Sequence, residues 1–253
     1  MDHSTIITST YDYRLVALSV VIAICASYAA LDLAGRITAA RNSQRMAWLV
    51  GGAIAMGAGI WSMHYTGMLA YHLSVPVYYH IPTVALSLVA AICASFVALF
   101  VVSRPRMDVF HVVAGSSLMA AGICGMHYIG MDAMRLPAMH HWDMTFVVLS
   151  VVIALVVALA ALGLTFLFRE EGHDKVLKAI CAIIMGFAIP AMHYTAMAAV
   201  NYTFMPDTPD LTNAVDISMF ANVAIIVVTF VILGSVFLIP RWFAPQSAVQ
   251  SEA

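Results

Sequence analysis

Met63-His64-Tyr65-Thr66-Gly67-Met68 recurs twice further along the chain, as Met126-His127-Tyr128-Ile129-Gly130-Met131 and as Met192-His193-Tyr194-Thr195-Ala196-Met197. The three histidines stand 63 and 66 residues apart. A repeat of that period names the structural unit before any single residue is interpreted. The segments between the hexapeptides echo one another as well: ASYAALDLAGR at 26–36, ASFVALFVVSR at 94–104 and, more loosely, ALAALGLTFLFR at 158–169. Each period therefore holds two apolar segments, the second ending in the hexapeptide.

Composition says what those segments are. Hydrophobic residues make up 63% of the 253-residue chain and charged residues 9%, whereas a soluble domain has about 45–50% and about 25%. So few charges cannot coat a water-exposed surface, and the chain reads as an integral membrane protein. A crossing helix needs about 20 apolar residues. Seven stretches meet that length: 13–34, 46–69, 82–102, 109–134, 144–168, 175–200 and 217–239. The expected fold is all-α, with seven transmembrane helices. Three parallel two-helix repeats (13–69, 82–134 and 144–200) are related by a pseudo-threefold axis along the membrane normal, and one helix is added. Residues 1–12 form an outer segment, 13–240 the seven-helix domain and 241–253 a cytoplasmic tail.

Charge sets the orientation. Arg36, Arg41, Arg45, Arg104, Arg106, Arg169, Lys175, Lys178 and Arg241 fall on one side, leaving Arg14 and Arg135 on the other. This positive-inside bias puts the N terminus outside, periplasmic in a bacterial inner membrane, and the C terminus in the cytoplasm. Residues 1–12 carry Asp2 and Asp12 and no Lys or Arg, so they lack the positive start of a cleavable signal peptide. Tyr78, Tyr79, Trp142 and Tyr202 suit the outer interface. The net charge of −2 and the lack of a basic cluster exclude a nucleic-acid partner; the lipid bilayer is the partner. A retinal protein is excluded too, because the last span has no lysine. The four cysteines, Cys124 near His127 among them, read as apolar packing.

Each histidine lies 18 residues beyond the inner end of its span, taken as Met46, Val109 and Lys175. At 1.5 Å per residue that is about 27 Å, one common depth near the outer edge of the apolar core. Equal depth and rotational repetition let His64, His127 and His193 converge. Ionisable groups at membrane depth are costly and mark function. Met68, Met131 and Met197 follow their histidines by one turn on the same helix face. Met63, Met126 and Met192 adjoin the histidines, and His72 continues the His64–Met68 face. Tyr65, Tyr128 and Tyr194 could bond the imidazoles or anchor at the interface. Imidazole with thioether in a carboxylate-poor site points to copper, whereas calcium and magnesium want oxygen. Zinc accepts the imidazoles and gains little from methionine. His80, His140 and His141 fall in outer loops, and His111 and His173 toward the inner side.

The thrice-repeated hexapeptide resembles the MHYT domain, a bacterial integral membrane sensor module named for Met-His-Tyr-Thr, over about residues 10–240. Ile129 and Ala196 are departures that touch no candidate ligand. The resemblance implies copper bound through Met63, His64, Met68, Met126, His127, Met131, Met192, His193 and Met197. It implies sensing of a diatomic gas (oxygen, carbon monoxide or nitric oxide). It also implies signal transfer to cytoplasmic cyclic di-GMP domains, in a partner protein or in the same longer chain. Two other classes compete. A haem or redox protein would use two of the histidines as axial ligands. A metal or proton transporter would need polar groups continuing inward, where Asp32 is the one acidic residue deep in a span. No GxSxG, P-loop or paired intramembrane carboxylates point to catalysis by this chain. The orientation is testable: a reporter fused after Arg241 is expected to be active in the cytoplasmic assay and silent in the periplasmic one, and the reverse pattern overturns it.

Overall fold

A computed structural model describes residues 6–106, 108–167, 175–205 and 208–221. Among them, six helices are long and apolar enough to cross a membrane. They are α1 (Tyr13–Ala39), α2 (Asn42–Ala70), α3 (Ile81–Val102), α4 (Val109–Asp132), α5 (Met144–Leu167) and α6 (Lys175–Met197). The expected seventh span, 217–239, is helical over residues 217–221 and otherwise lies outside the described residues, as does the tail.

Local chemistry sets the helix starts. Asp12 caps α1, its carboxylate accepting the Arg14 N–H at 2.9 Å, and Asp108 caps α4 by accepting from the His111 N–H. Pro82 occupies the first turn of α3, where its missing N–H costs nothing. Helix α1 runs past residue 34, where the apolar run suggested it would stop. The added turn is supported by the Arg36–Asp32 ion pair at 2.7 Å, four residues apart, and by burial of Ile37. Asp32 also accepts from Lys178 Nζ of α6 at 3.1 Å, tying the C-terminal end of α1 to the N-terminal end of α6.

The six helices form a closed ring in chain order, with α6 packed against α1. Outward faces stay apolar, as Val148, Val152, Leu155, Val156 and Leu159 of α5 illustrate, which fits lipid rather than water. Small residues allow the close approaches. A Cβ on Gly57 of α2 would lie 2.7 Å from the Ile92 backbone of α3, and one on Gly186 of α6 would lie 2.5 Å from the Ile24 Cα of α1. Gly51 and Gly125 face open space instead.

The end of the bundle where the even-numbered helices finish carries short strands, runs of two to five residues that are too short to announce themselves as alternation. They are β1 (Ser9–Tyr11), β2 (Tyr71–Leu73), β3 (Tyr78–His80), β4 (Met134–Arg135), β5 (Ala138–Trp142), β6 (Val200–Phe204) and β7 (Ala214–Asp216). Antiparallel pairs β1–β2 and β5–β6, with β3 between β4 and β7, cover the helix ends. Among the backbone bonds that fasten this layer, three are equivalent: Asp12 N–H to the Ala70 carbonyl at 2.9 Å, His80 N–H to Ala133 at 2.8 Å and Asp143 N–H to Ala199 at 2.8 Å. Each joins the start of an odd-numbered helix to the end of the even-numbered helix after it. Tyr79 and Tyr202, expected at the lipid interface, are buried under the strands at 0% and 4% exposure. The packing makes a contrast that can be measured. Gly57→Ala and Gly186→Ala are expected to lower the melting temperature of the detergent-solubilised chain, at a cost on the order of 1–3 kcal/mol for overpacking. Gly51→Ala is expected to be neutral or to stabilise by up to about 1 kcal/mol, as helical glycines do when replaced; equal effects at all three sites overturn this account.

Candidate metal centre

The ring of helices brings the three motif histidines to one point. His64, His127 and His193 come from α2, α4 and α6, and each is fully buried at 0% exposure. Their Nδ1 atoms face one another: 3.1 Å between His64 and His193, 3.2 Å between His127 and His64, and 3.1 Å between His127 and His193. The imidazoles stand edge to face, with centroids 4.9–5.0 Å apart and interplanar angles of 78–88°. Among the described residues this is a cluster able to hold a metal, and no carboxylate or cysteine belongs to it.

Proton counting shows what the cluster lacks. A neutral imidazole nitrogen carries either a proton or an in-plane lone pair. With three mutually adjacent Nδ1 atoms and two possible states, at least two must be alike, so one contact is always lone pair against lone pair or N–H against N–H. A cation at the centre removes the conflict, because all three nitrogens then present lone pairs to it. The spacing suits this: a metal about 2.0–2.1 Å from each of three tetrahedrally arranged nitrogens holds them about 3.3–3.4 Å apart.

The second nitrogens are walled in. All three Nε2 atoms are buried without a hydrogen-bond partner. A Cβ on Gly67 would lie 2.4 Å from Nε2 of His193, and one on Gly130 would lie 2.3 Å from Nε2 of His64. The fifth residue of the hexapeptide is thus the floor for an imidazole of another helix. In the third copy that place is taken by Ala196, also fully buried.

The motif tyrosines do not bond the imidazoles. Each lies edge-on to its own histidine, with centroids 4.9, 5.0 and 4.8 Å apart for Tyr65, Tyr128 and Tyr194. Their hydroxyls meet serines of the following helix in the ring: Tyr65 with Ser87 of α3 at 3.3 Å, Tyr128 with Ser150 of α5 at 2.8 Å, and Tyr194 with Ser19 of α1 at 2.9 Å. Each serine is fully buried and donates to the carbonyl three residues earlier at 2.7 Å, which leaves its oxygen free to accept from the tyrosine. No motif in the sequence marks these serines as part of the site. The signal available was a constant spacing, since Ser87 follows Tyr65 and Ser150 follows Tyr128 by 22 residues, with the third pair closing the ring.

The methionines divide. Met63 packs with Ile22, Ala23 and Ile189 in a small separate cluster, while Met126 and Met192 belong to the main core. Met68, Met131 and Met197 are buried one turn C-terminal to the histidines, toward the strand layer. Met131 lines a cavity of about 360 Å³ at that end with Arg135, His140 and Trp142, and Met197 lines another of about 410 Å³ with Tyr11, Tyr71 and Tyr194. Helix α2 ends at Ala70, so His72 lies on β2, exposed, with Nδ1 3.1 Å from the Ala70 carbonyl. His80, His140 and His141 likewise lie on β3 and β5.

Known proteins share this pattern. The family model for the MHYT bacterial signalling protein N-terminal repeat matches residues 3–52, 57–115 and 121–177. The bifunctional diguanylate cyclase/cyclic di-GMP phosphodiesterase MucR of Pseudomonas aeruginosa is 39% identical over 91% of this chain and 34% of its own length. The cyclic di-GMP phosphodiesterase NbdA of the same organism is 35% identical over 79% of this chain and 26% of its own. The signaling protein YkoW of Bacillus subtilis is 36% identical over 76% and 24%. The chain thus spans about a third or less of the length of these relatives, and no solved structure matches it. Three repeats, three hexapeptides and one buried histidine trio agree: the chain belongs to the MHYT family of bacterial signalling proteins.

Proposed function

We propose that this chain is a metal-dependent membrane sensor module whose copper ion is held by His64, His127 and His193. The observation that carries the reading is the meeting of three buried Nδ1 atoms at 3.1–3.2 Å with no proton arrangement that satisfies them all. Copper held there by the three imidazoles would supply the chemistry for binding oxygen, nitric oxide or carbon monoxide. Met68, Met131 and Met197, one turn outward, line the approach from the outer cavities or add soft ligands, and Met63, Met126 and Met192 flank the imidazoles. Burial of all three rings keeps water from competing for the site.

The chain's own residues supply the transmission. A change in imidazole spacing presses on the edge-on tyrosine rings, and each tyrosine is bonded to a serine on the next helix. Motion at the centre therefore enters α1, α3 and α5, whose C-terminal ends lie on the side assigned to the cytoplasm by charge. The cyclic di-GMP enzymes named among the relatives make that messenger the natural output, produced or degraded by a domain distinct from the membrane repeat. A haem reading is disfavoured by the geometry, since no planar macrocycle passes between imidazoles whose nitrogens are 3.1 Å apart.

Two measurements test the proposal. Protein purified without a histidine tag and loaded with Cu(II) is expected to bind one ion with nitrogen hyperfine structure in its electron paramagnetic resonance spectrum. His64→Ala, His127→Ala and His193→Ala are each expected to abolish that signal. If all three variants keep it, or the wild type never shows it, the histidines are structural; a site that takes zinc and refuses copper corrects the metal. Gly130→Ala, which puts a methyl where the His64 ring lies, is expected to weaken Cu(II) binding by roughly 10–100-fold, the range seen when support behind a metal ligand is lost. Unchanged affinity would show that the glycine floor does not position the ring.

A further inference from the structure

Eight residues before each motif histidine stands another methionine: Met56 before His64, Met119 before His127 and Met185 before His193. Eight helical residues are a little over two turns, about 12 Å along the axis, away from the strand-covered face. All three are buried, at 7%, 2% and 5% exposure. They line one internal cavity together with residues from every one of the six helices. Facing them across it are Ala30 of α1, Ala98 of α3 and Ala161 of α5. These alanines are equivalent to one another, each following the serine of its helix (Ser19, Ser87 and Ser150) by eleven residues. The space between them is about 10 Å³, close to what one water or one small ion fills.

Methionine is a common gap-filler in apolar cores, and one such residue would carry no argument. Here three methionines occupy the same register of three repeated helices and line one ion-sized void. An alanine from each intervening helix keeps that void clear. The walls are almost wholly apolar, which excludes hydrated sodium, potassium, calcium and magnesium because those ions demand oxygen. Soft thioethers select Cu(I).

We infer that Met56, Met119 and Met185 form a second metal site, specific for a soft monovalent cation such as Cu(I) or Ag(I), buried about two helical turns inward of the histidine trio. This extends the metal reading of the trio but rests on different residues and different donor atoms. The two sites divide by donor: imidazole nitrogens hold copper in either oxidation state or zinc, whereas three thioethers without nitrogen hold only a soft monovalent ion such as Cu(I) or Ag(I). No redox step is required, because Cu(I) binds as supplied.

The test uses the full chain in detergent, with Cu(I) under reductant and Ag(I) as probes, titrated against a chelator of fixed affinity. X-ray absorption then reports sulfur or nitrogen neighbours of the copper. In the His64→Ala/His127→Ala/His193→Ala variant, one sulfur-coordinated Cu(I) is expected to remain. In the near-isosteric Met56→Leu/Met119→Leu/Met185→Leu variant, that Cu(I) and one equivalent of Ag(I) are expected to be lost. The Cu(II) nitrogen signal of the trio should persist there and report an intact fold. Single Met→Leu variants, each expected to weaken Ag(I) binding at least tenfold, decide the matter if the triple variant does not fold. The inference is overturned if the leucine variants bind Ag(I) as the wild type does, or if Cu(I) in the histidine-free variant has no sulfur neighbours. Sulfur-bound Cu(I) without any Cu(II) nitrogen signal would uphold this site and refute the histidine centre.

Discussion

Three imidazole nitrogens in mutual contact, out of reach of water, are the condition around which the rest of the molecule is arranged. No allotment of protons makes every one of the three contacts favourable, so without a cation between them the rings stay together only because the scaffold forces them to. Gly67 and Gly130 remove the side chains that would collide with the rings. The tyrosines hold each ring edge-on, and buried serines hold the tyrosines. An intramembrane hydrogen bond is worth about 0.6–1.7 kcal/mol, so three tyrosine–serine bonds matter less as energy than as register. They fix which face of each odd-numbered helix looks inward.

Much of this was readable without coordinates, for a physical reason. A repeated hexapeptide at constant distance from the helix start fixes depth, and repetition in one orientation fixes rotation, so convergence of His64, His127 and His193 followed from spacing alone. The six described spans were equally legible from apolar length. The strands were not, because Tyr78–His80 or Met134–Arg135 are too short to show a period. Nor was the burial of Tyr79 and Tyr202, since an aromatic residue near a span end has the same sequence signature whether it faces headgroups or a strand layer. The partners of Tyr65, Tyr128 and Tyr194 escaped notice because they lie on the next helix in space, and serine in an apolar helix ordinarily bonds its own backbone, as these serines also do.

Two kinds of bond define the repeat in two ways. The backbone bonds Asp12–Ala70, His80–Ala133 and Asp143–Ala199 join α1 to α2, α3 to α4 and α5 to α6, the pairing that starts each unit on an odd-numbered helix. The tyrosine–serine bonds join α2 to α3, α4 to α5 and α6 back to α1. The family model places one boundary between residues 52 and 57 and another between 115 and 121, so its second and third units begin inside an even-numbered helix and carry a hexapeptide together with the serine that follows it. Each even-numbered helix is therefore held on one side by main chain and on the other by a side chain.

All three tyrosine arms reach the same way round the ring, always to the helix that comes next. Such an arrangement has a hand. A radial change where the imidazoles meet would therefore load α3, α5 and α1 in one shared sense round the ring, because each tyrosine is bonded to the helix that follows its own, and three bonds of this strength bias the helices toward a common twist rather than locking them.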